Sequence, residues 1–560
     1  MNRHIVSLAA ALLAASSLTS CIEESLPMGG TVTEGQTAAA PGAFEKFVNS
    51  MTSSLSGSFL YSGSNANAND FGYTSFFLIR DMTGNDLVPS SLSGSNWFSP
   101  WYSCGASLAP GYANCQYPWT LYYGWIKNCN TVISLGGAEP DANHKSGVGQ
   151  AYALRAMFYL DLARMYSQET YAKNKEALTV PKVTEVQSSD VYNNPRMTNA
   201  QAFEFILSDL DKAEQYLADY KRDDKYTPDL SVVYGLKARA YLTMEDWANA
   251  EKYAKLAQQG YTQMGEAEYT SRTDGFNKPN ESWMFATRFQ SSDDNLKLND
   301  GDSSWGSHMI IEMGDGNVCG YAANYGFPVM IDRHLYETIP ATDYRKKLFV
   351  NFDIENMGEA EKEKALEAYS DHPDWVERVG TNAAGNGYNA GVGGLEVKFR
   401  PNNGDGSQPM ATAAAVSVPL MRVEEMKLIE IEAAGMQNEA KGIQLLTEFA
   451  KTKDPDYVYG KHNEAYGNSA TSAFQNEVWW QRRVELWGEG FAMFDVKRLG
   501  KGIIRSYANT NHVEGARWNE TTTPQWMTFC IISTEADYNH GIVNNPTPVA
   551  PKSDSEEFIW

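Results

Sequence analysis

The stretch SGSNWFSPWYSCG, residues 93–105, sets Trp97, Phe98, Trp101 and Tyr102 among Ser, Gly, Asn and Pro. Those small and turn-forming residues favour loop over helix or strand. Loops run over surfaces, where large rings are costly to leave uncovered in water. The chemistry such rings offer is stacking: the apolar C–H face of a pyranose lies against an indole or phenol while flanking polar groups bond its hydroxyls. Trp97, Trp101 and Tyr102 supply faces, and Asn96, Asp81 and Asp86 supply donors and acceptors nearby. Trp305 and Tyr321, far along the chain, are expected to complete the site. The competing arrangement is a loop folded back with its rings in the core.

Other chemistry finds little support. There is no His-Glu-x-x-His, no Gly-x-Ser-x-Gly and no Cys/His cluster of metal spacing. Asp300 and Asp302, with Asp293 and Asp294 upstream, carry oxygens suited to calcium, but the twelve-residue calcium-loop spacing is absent. GNGYNA, at residues 385–390, superficially resembles a dinucleotide loop, yet no strand precedes it and no helical pattern follows. No catalytic residue, metal or cofactor is expected. A two-carboxylate glycosidase leaves no local motif and stands as a competing class. A repeat scaffold that binds only proteins is another.

The N-terminus reads MNRHIVSLAAALLAASSLTSC. Arg3, then an apolar run from Ile5 to Leu13 too short to span a bilayer, then small residues, make residues 1–20 a secretory signal. Leu18–Cys21 resembles the bacterial lipobox, which makes Cys21 the lipidated first residue of the mature protein. Residues 21–43 are then the lipidated end and a polar linker, and Ile22-Glu23-Glu24 resembles a surface-export signal. The net charge of −23 argues against nucleic acid and anionic membrane surfaces as partners. Setting Cys21 aside leaves five cysteines, an odd number. Cys104, Cys115 and Cys129 are close enough in sequence to pair; a Cys104–Cys115 staple is one of three possibilities.

The elements that must hold the loop are helical. In PWTLYYGWIKNCNTVISLG, Leu121, Trp125, Cys129 and Val132 recur at helical spacing, and GQAYALRAMFYLDLARMY continues the pattern. Thr198 and Gln201 predict a capping box ahead of an apolar stripe at Phe203, Ile206, Leu210, Ala213 and Leu217. Ala238, Tyr241, Ala250 and Ala257, in SVVYGLKARAYLTMEDWANAEKYAKLAQQG, follow the logic of a degenerate tetratricopeptide pair. Two further helices surround a Gly/Asn turn after Val418, and FQNEVWWQRRVELWGEGFAMFDVKRLG predicts a helix, a glycine break and a short helix. Residues 262–418 are rich in Gly, Asn, Asp and Ser, and Trp283 there sits in a strand-like apolar run. The expected fold is mostly α, a tetratricopeptide-like helical-pair scaffold with long loop-rich insertions. One domain is expected over 44–560, comprising an N-terminal half at 44–261, the insertion at 262–418 and a C-terminal half at 419–560.

In order along the chain, the lipobox at Cys21, LYYGWIKNCNTVI, ALRAMFYLDLARMY, FILSDLDKAEQYL, LKARAYLTMEDWANAEKYAKLA, VPLMRVEEMKLIEIEAA and RRVELWGEGFAMFDVKRLG together resemble the SusD/RagB family of surface nutrient-binding lipoproteins. Gln481 stands where an acid is usual and Ala492 where Arg is frequent. The resemblance implies a non-enzymatic, lipid-anchored protein of the outer-membrane surface. It would lie as a lid on a TonB-dependent transporter of the SusC type and capture oligosaccharide or, in the RagB branch, peptide. It also implies an arc of ligand-facing aromatics in the region of RDMTGNDLVPSSLSGSNWFSPWY, where Trp97 and Trp101 are the rings.

Overall fold

The computed structural model describes residues 42–57, 68–93, 96–186, 190–297, 302–314, 320–381 and 391–560. The signal segment, Cys21, Cys319, Asp300 and the GNGYNA stretch lie outside them. The chain divides into one unit ending at Lys46 and another running from Phe47 to Trp560, and every element labelled here belongs to the second.

In chain order the principal elements are α1 (Ser75–Met82), β1 (Leu87–Pro89), α2 (Ser99–Ser103), α3 (Ala113–Gly136), α4 (Lys145–Tyr166), β2 (Leu178–Pro181), β3 (Arg196–Thr198), α5 (Asn199–Leu217), α6 (Leu230–Met244) and α7 (Trp247–Ala257). There follow β4 (Trp283–Arg288), α8 (Trp305–Met309), β5 (Val329–Ile331), β6 (Ser417–Arg422), α9 (Val423–Gln437), α10 (Glu439–Lys451), α11 (Ala473–Glu485), α12 (Ala492–Leu499), β7 (Ile503–Ile504) and β8 (Asn519–Glu520). Among the described residues no helix is long and apolar enough to cross a membrane.

The mostly helical class is what the apolar spacing requires. Helix α4 is buried almost all round, so it is the axis on which α3 and α5 pack. Its Gly149 has no room for a side chain: a Cβ there would meet Leu217 Cγ at 2.8 Å. Asp161 on α4 is a buried knot that accepts from Tyr73 (2.5 Å), Tyr122 (2.8 Å), Arg80 (3.1 Å) and Arg164 (2.6 Å). Both halves of the Thr198–Gln201 capping box are present at the start of α5. Helices α6 and α7 pack together as the expected pair, and their Ala238, Ala250, Ala254 and Ala257 are wholly buried. Asp229 and Asp246 cap their N-termini, and Glu245 turns the chain at φ 58°. Helix α9 closes on α7, continuing the scaffold.

The sheets are two-stranded and serve as ties. Antiparallel β4–β6 pairs Trp283 with Arg422 and Arg288 with Ser417, and Trp283 is core, as its apolar run predicts. Antiparallel β1–β5 pairs Val88 with Met330, joining the loop region to the insertion. The insertion is more than loops. Ile311, Ala322, Met330, Val350, Val376 and Leu395 belong to one hydrophobic cluster with Val88, so residues 262–418 carry a core of their own.

None of the three possible pairings among Cys104, Cys115 and Cys129 forms, the Cys104–Cys115 staple included. Cys104, Cys115, Cys129 and Cys530 are all free, buried thiols. Cys104 ends α2 in the left-handed conformation, with its Sγ 3.4 Å from the carbonyl of Trp101. The Cys115 thiol instead donates to the carbonyl of Cys530 at 3.1 Å.

Candidate functional site

The short helix α2 decides which rings of the opening stretch meet water. Asn96 braces the turn before it, accepting from Phe98 N–H at 3.2 Å and donating to the Ser91 carbonyl at 2.9 Å. Residues three and four apart share a helix face, so Phe98, Trp101 and Tyr102 go together, and they go inward. Phe98 meets Phe71 and His308 edge-on at 6.0 and 5.0 Å. Trp101 is 1% exposed and Tyr102 not at all. Tyr102 exchanges a hydrogen bond with His512 Nδ1 at 2.6 Å, under the Arg505 guanidinium 4.0 Å above its ring. Neither offers a face to a ligand in this structure. Trp97 stands just ahead of the helix and is only half-buried.

The structure brings Trp97 to Tyr321, one of the two distant residues singled out by sequence. The indole Nε1–H donates to the Tyr321 hydroxyl at 2.6 Å across 224 residues of chain. Tyr321 is half-buried, as is Tyr325, whose ring lies 5.1 Å away. Trp97, Tyr321 and Tyr325 thus form a row of partly open rings, with Asp302 as a half-buried charged neighbour of Tyr321. Burial, with Asp302 adding to it against the opposing Trp97 hydrogen bond, pushes the Tyr321 phenol up to about 12, so it is neutral at ordinary pH.

Behind the row lies a plate that the sequence reading did not include. His308, on α8, stacks on Tyr321 at 5.0 Å with 4° between the planes, and on Phe71 at 5.4 Å. Its Nε2 lies 2.8 Å from the Ala68 carbonyl, which can only accept, so Nε2 carries the proton. Burial pulls this imidazole down to about 4, against the raising effect of that hydrogen bond. Ser304 caps α8 by accepting from Ser307 N–H, and Ser307 Oγ in turn accepts from Tyr321 N–H at 3.1 Å. Gly320, at φ 88°, permits that approach: a Cβ would sit 2.9 Å from Ser307 Cα. The signal that would have pointed to Tyr325 is its i, i+4 spacing from Tyr321 in a Gly/Asn-rich stretch. For His308 there was no local signal, because its role comes from Phe71 and Ala68.

The other expected residues are placed elsewhere. Trp305 is wholly buried, edge-on to Phe399 at 5.0 Å and Phe77 at 6.0 Å. Asp81 accepts backbone N–H from Gly490 at 2.9 Å and Ala492 at 3.0 Å. Burial pushes its carboxyl up to about 7 in spite of those bonds. Asp86 takes the Arg483 guanidinium at 2.6 and 3.0 Å, and its carbonyl accepts from Trp487 Nε1–H at 2.8 Å. Both carboxylates therefore anchor the RRVELWGEG segment. The cavity they line holds about 20 Å³, water-sized rather than sugar-sized. Asn96 is likewise committed to its own turn.

Comparison with known proteins agrees with the fold. Residues 73–242 match a family model described as starch-binding, associating with outer membrane. Residues 247–547, over half of the chain, match the model of the SusD family. No curated protein sequence matches. Among solved structures, a SusD-like carbohydrate binding protein from Bacteroides vulgatus is 21% identical with a TM-score of 0.67, over 90% of this chain and 97% of that one. A SusD superfamily protein from Bacteroides thetaiotaomicron is 20% identical with a TM-score of 0.64, over 90% and 99%. Surface glycan-binding protein A from Bacteroides thetaiotaomicron, solved in complex with laminarihexaose, is 17% identical with a TM-score of 0.62, over 90% and 99%. The chain belongs to the SusD family.

Proposed function

We propose that this protein binds oligosaccharide at the cell surface without turning it over and delivers it to a TonB-dependent outer-membrane transporter of the SusC type. The observation that carries the reading is the group Trp97, Tyr321 and Tyr325, three partly open rings of which Tyr321 is stacked on buried His308 and bonded to Trp97. Rings fixed in advance take a pyranose face with little loss of side-chain entropy, which favours binding. The similar surface glycan-binding protein solved in complex with laminarihexaose supports the same ligand class. Trp97 is the stacking face on this reading, and Trp101, Tyr102 and Trp305 support the scaffold. Lipidation of Cys21 anchors the protein to the outer membrane.

Titration calorimetry of the full chain carrying Cys21→Ala, against panels of neutral oligosaccharides and of peptides, tests the ligand class. Binding to a glycan that Trp97→Ala weakens at least tenfold is the expected result. Binding to peptides alone would replace the glycan reading with a peptide one, and Trp97→Ala binding as tightly as the parent would remove this site. Co-purification of a β-barrel transporter with the lipidated protein tests the partner.

A further inference from the structure

Residues 555–560 lie against the protein as an extended strand. Phe558 N–H donates to the Ser506 carbonyl at 2.8 Å, and Phe558 pairs in parallel with Tyr507, just beyond β7. Asn519, in β8, donates from Nδ2 to the Glu556 carbonyl at 2.9 Å and from its backbone N–H to Ser555 Oγ at 2.9 Å. Alternate residues of an extended chain face the same way. Phe558 and Trp560 accordingly turn toward the protein, and Glu557 and Ile559 turn to water, Ile559 being 89% exposed. Trp560 lies face to face with His334 at 3.4 Å, with 3° between the planes, and beside Tyr466 at 4.9 Å and Tyr507 at 5.7 Å.

The receiving rings are held by partners outside the strand. Arg483 donates to the Tyr466 hydroxyl at 2.8 Å, Tyr507 donates to Asp332, and His334 Nε2 lies 2.7 Å from Glu464. The strand itself hangs on a tether. Residues 546–554 include three prolines and are exposed except at Pro548 and Pro551. From 547 to 554 they make no hydrogen bond among the described residues. A segment with few buried apolar contacts and solvent-facing hydrogen bonds opens locally, ahead of the whole fold.

We infer that the groove formed by His334, Tyr466, Tyr507 and the Ser506–Tyr507 backbone is a docking site for an extended segment of a partner protein with aromatic residues two apart, and that residues 555–560 occupy it in cis. Recognition is by strand addition, in which main-chain hydrogen bonds give affinity and pockets for alternate side chains give specificity. The chain's own segment shows the chemistry of the occupant: extended backbone, rings at the places of Phe558 and Trp560, and a side chain between them that faces water. A short tether keeps its strand at an effective concentration of about millimolar, so a partner docks by displacing it. The groove shares no residue with the Trp97–Tyr321 group, and this inference does not rest on the glycan reading.

The test uses the full chain carrying Cys21→Ala. An amidated peptide with the sequence of residues 553–560, fluorescein-labelled at its N-terminus, is titrated by anisotropy into the parent and into a Phe558→Ala, Trp560→Ala double variant. The double variant, whose own strand no longer fills the groove, should bind the peptide about tenfold tighter than the parent or more. Adding His334→Ala to it, or placing alanine at both aromatic positions of the peptide, should remove that binding. Equal binding by parent and double variant, or binding indifferent to His334→Ala, overturns the proposal. So does the absence of binding to a double variant that melts with the parent. Hydrogen exchange of the parent decides the matter even where the double variant fails to fold. Phe558 N–H should exchange about tenfold faster than the core amides of α4 or more, through local opening. Exchange at the same rate as α4 means that the strand leaves only when the whole fold does, and overturns the proposal.

Discussion

Arg422 and Glu485 form an ion pair at 3.1 Å with both side chains wholly shut off from solvent. Arg345 reaches the same carboxylate at 3.4 Å and Lys453 at 4.0 Å, while Lys398 bonds the neighbouring Glu489 at 2.7 Å. Gln481 accepts from Arg345 at 2.9 Å. Strand β6, helix α11 and the insertion are joined through these charges. Removing one member leaves its partners buried and uncompensated.

Glu485→Gln should accordingly lower unfolding stability by about 3–5 kcal/mol, the cost of breaking a buried pair from one side. The check is the urea midpoint of the variant against the parent. An unchanged midpoint would mean that the network adds nothing to stability.

Acid should act through the same residue. Burial would push Glu485 up, but Lys453, Arg422, Arg345 and Lys398 outweigh it and hold the carboxyl below its ordinary 4.5. A carboxyl lowered in the folded state stabilises fully above its unfolded value and loses that contribution as pH falls below it. The parent should lose stability as pH drops from about 5, and Glu485→Gln should show a shallower loss. Parallel pH profiles would remove Glu485 as the cause.

Trp97→Ala and Trp101→Ala should separate cleanly. Trp101 is 1% exposed, so its truncation should cost about 3–5 kcal/mol of stability through the cavity it leaves. Half-buried Trp97 should cost much less stability and most of the ligand affinity. Paired thermal melts and glycan titrations decide, and a Trp101 variant as stable as the parent would return that ring to the list of ligand faces.

His308 should stay neutral across the range where a free imidazole titrates. Its value is pulled to about 4 by burial, below the ordinary 6.5. Its ring resonances should be flat between pH 5 and 8, with Nε2 protonated throughout. The sign for folding is the same as for Glu485: stability falls as pH drops from 6.5 toward 4, because the unfolded chain takes the proton first. A titration midpoint between 6 and 7 would contradict the buried placement.

The four described thiols should resist a water-soluble thiol reagent in the native state and react on unfolding. Burial pushes Cys104 up to about 12 and leaves it without thiolate at neutral pH. A reducing agent should leave the melting temperature unchanged, and a shift of several degrees would reveal a disulfide.

Features decided by near neighbours were legible in the sequence. The capping box needs only Thr198 and Gln201, three residues apart, and both halves form. The pairing of α6 with α7 follows from small residues at fixed offsets joined by a short turn. Trp283 reads as core from an apolar strand of six residues. Of the residues singled out by sequence, Trp97 and Tyr321 come together, while Asp81, Asp86, Trp101, Tyr102 and Trp305 turn to the scaffold. That Asp81 bonds distant backbone and Asp86 a distant guanidinium was not legible, because a carboxylate near a loop reads the same in sequence whatever its partner.

By itself the sequence determined the helical scaffold, its caps, its family pattern and the supply of aromatic rings around residue 100, because periodicity and capping act over a few residues. Tertiary structure alone decided which rings stay open. Tyr102 is claimed by His512 across 410 residues, Asp81 by Gly490 across 409 and Asp86 by Arg483 across 397. Each buried polar group must find a partner, and those partners lie hundreds of residues away. Trp97 is left half-buried because α2 and the residue before it turn Phe98, Trp101 and Tyr102 into the core while Tyr321 arrives to receive its N–H.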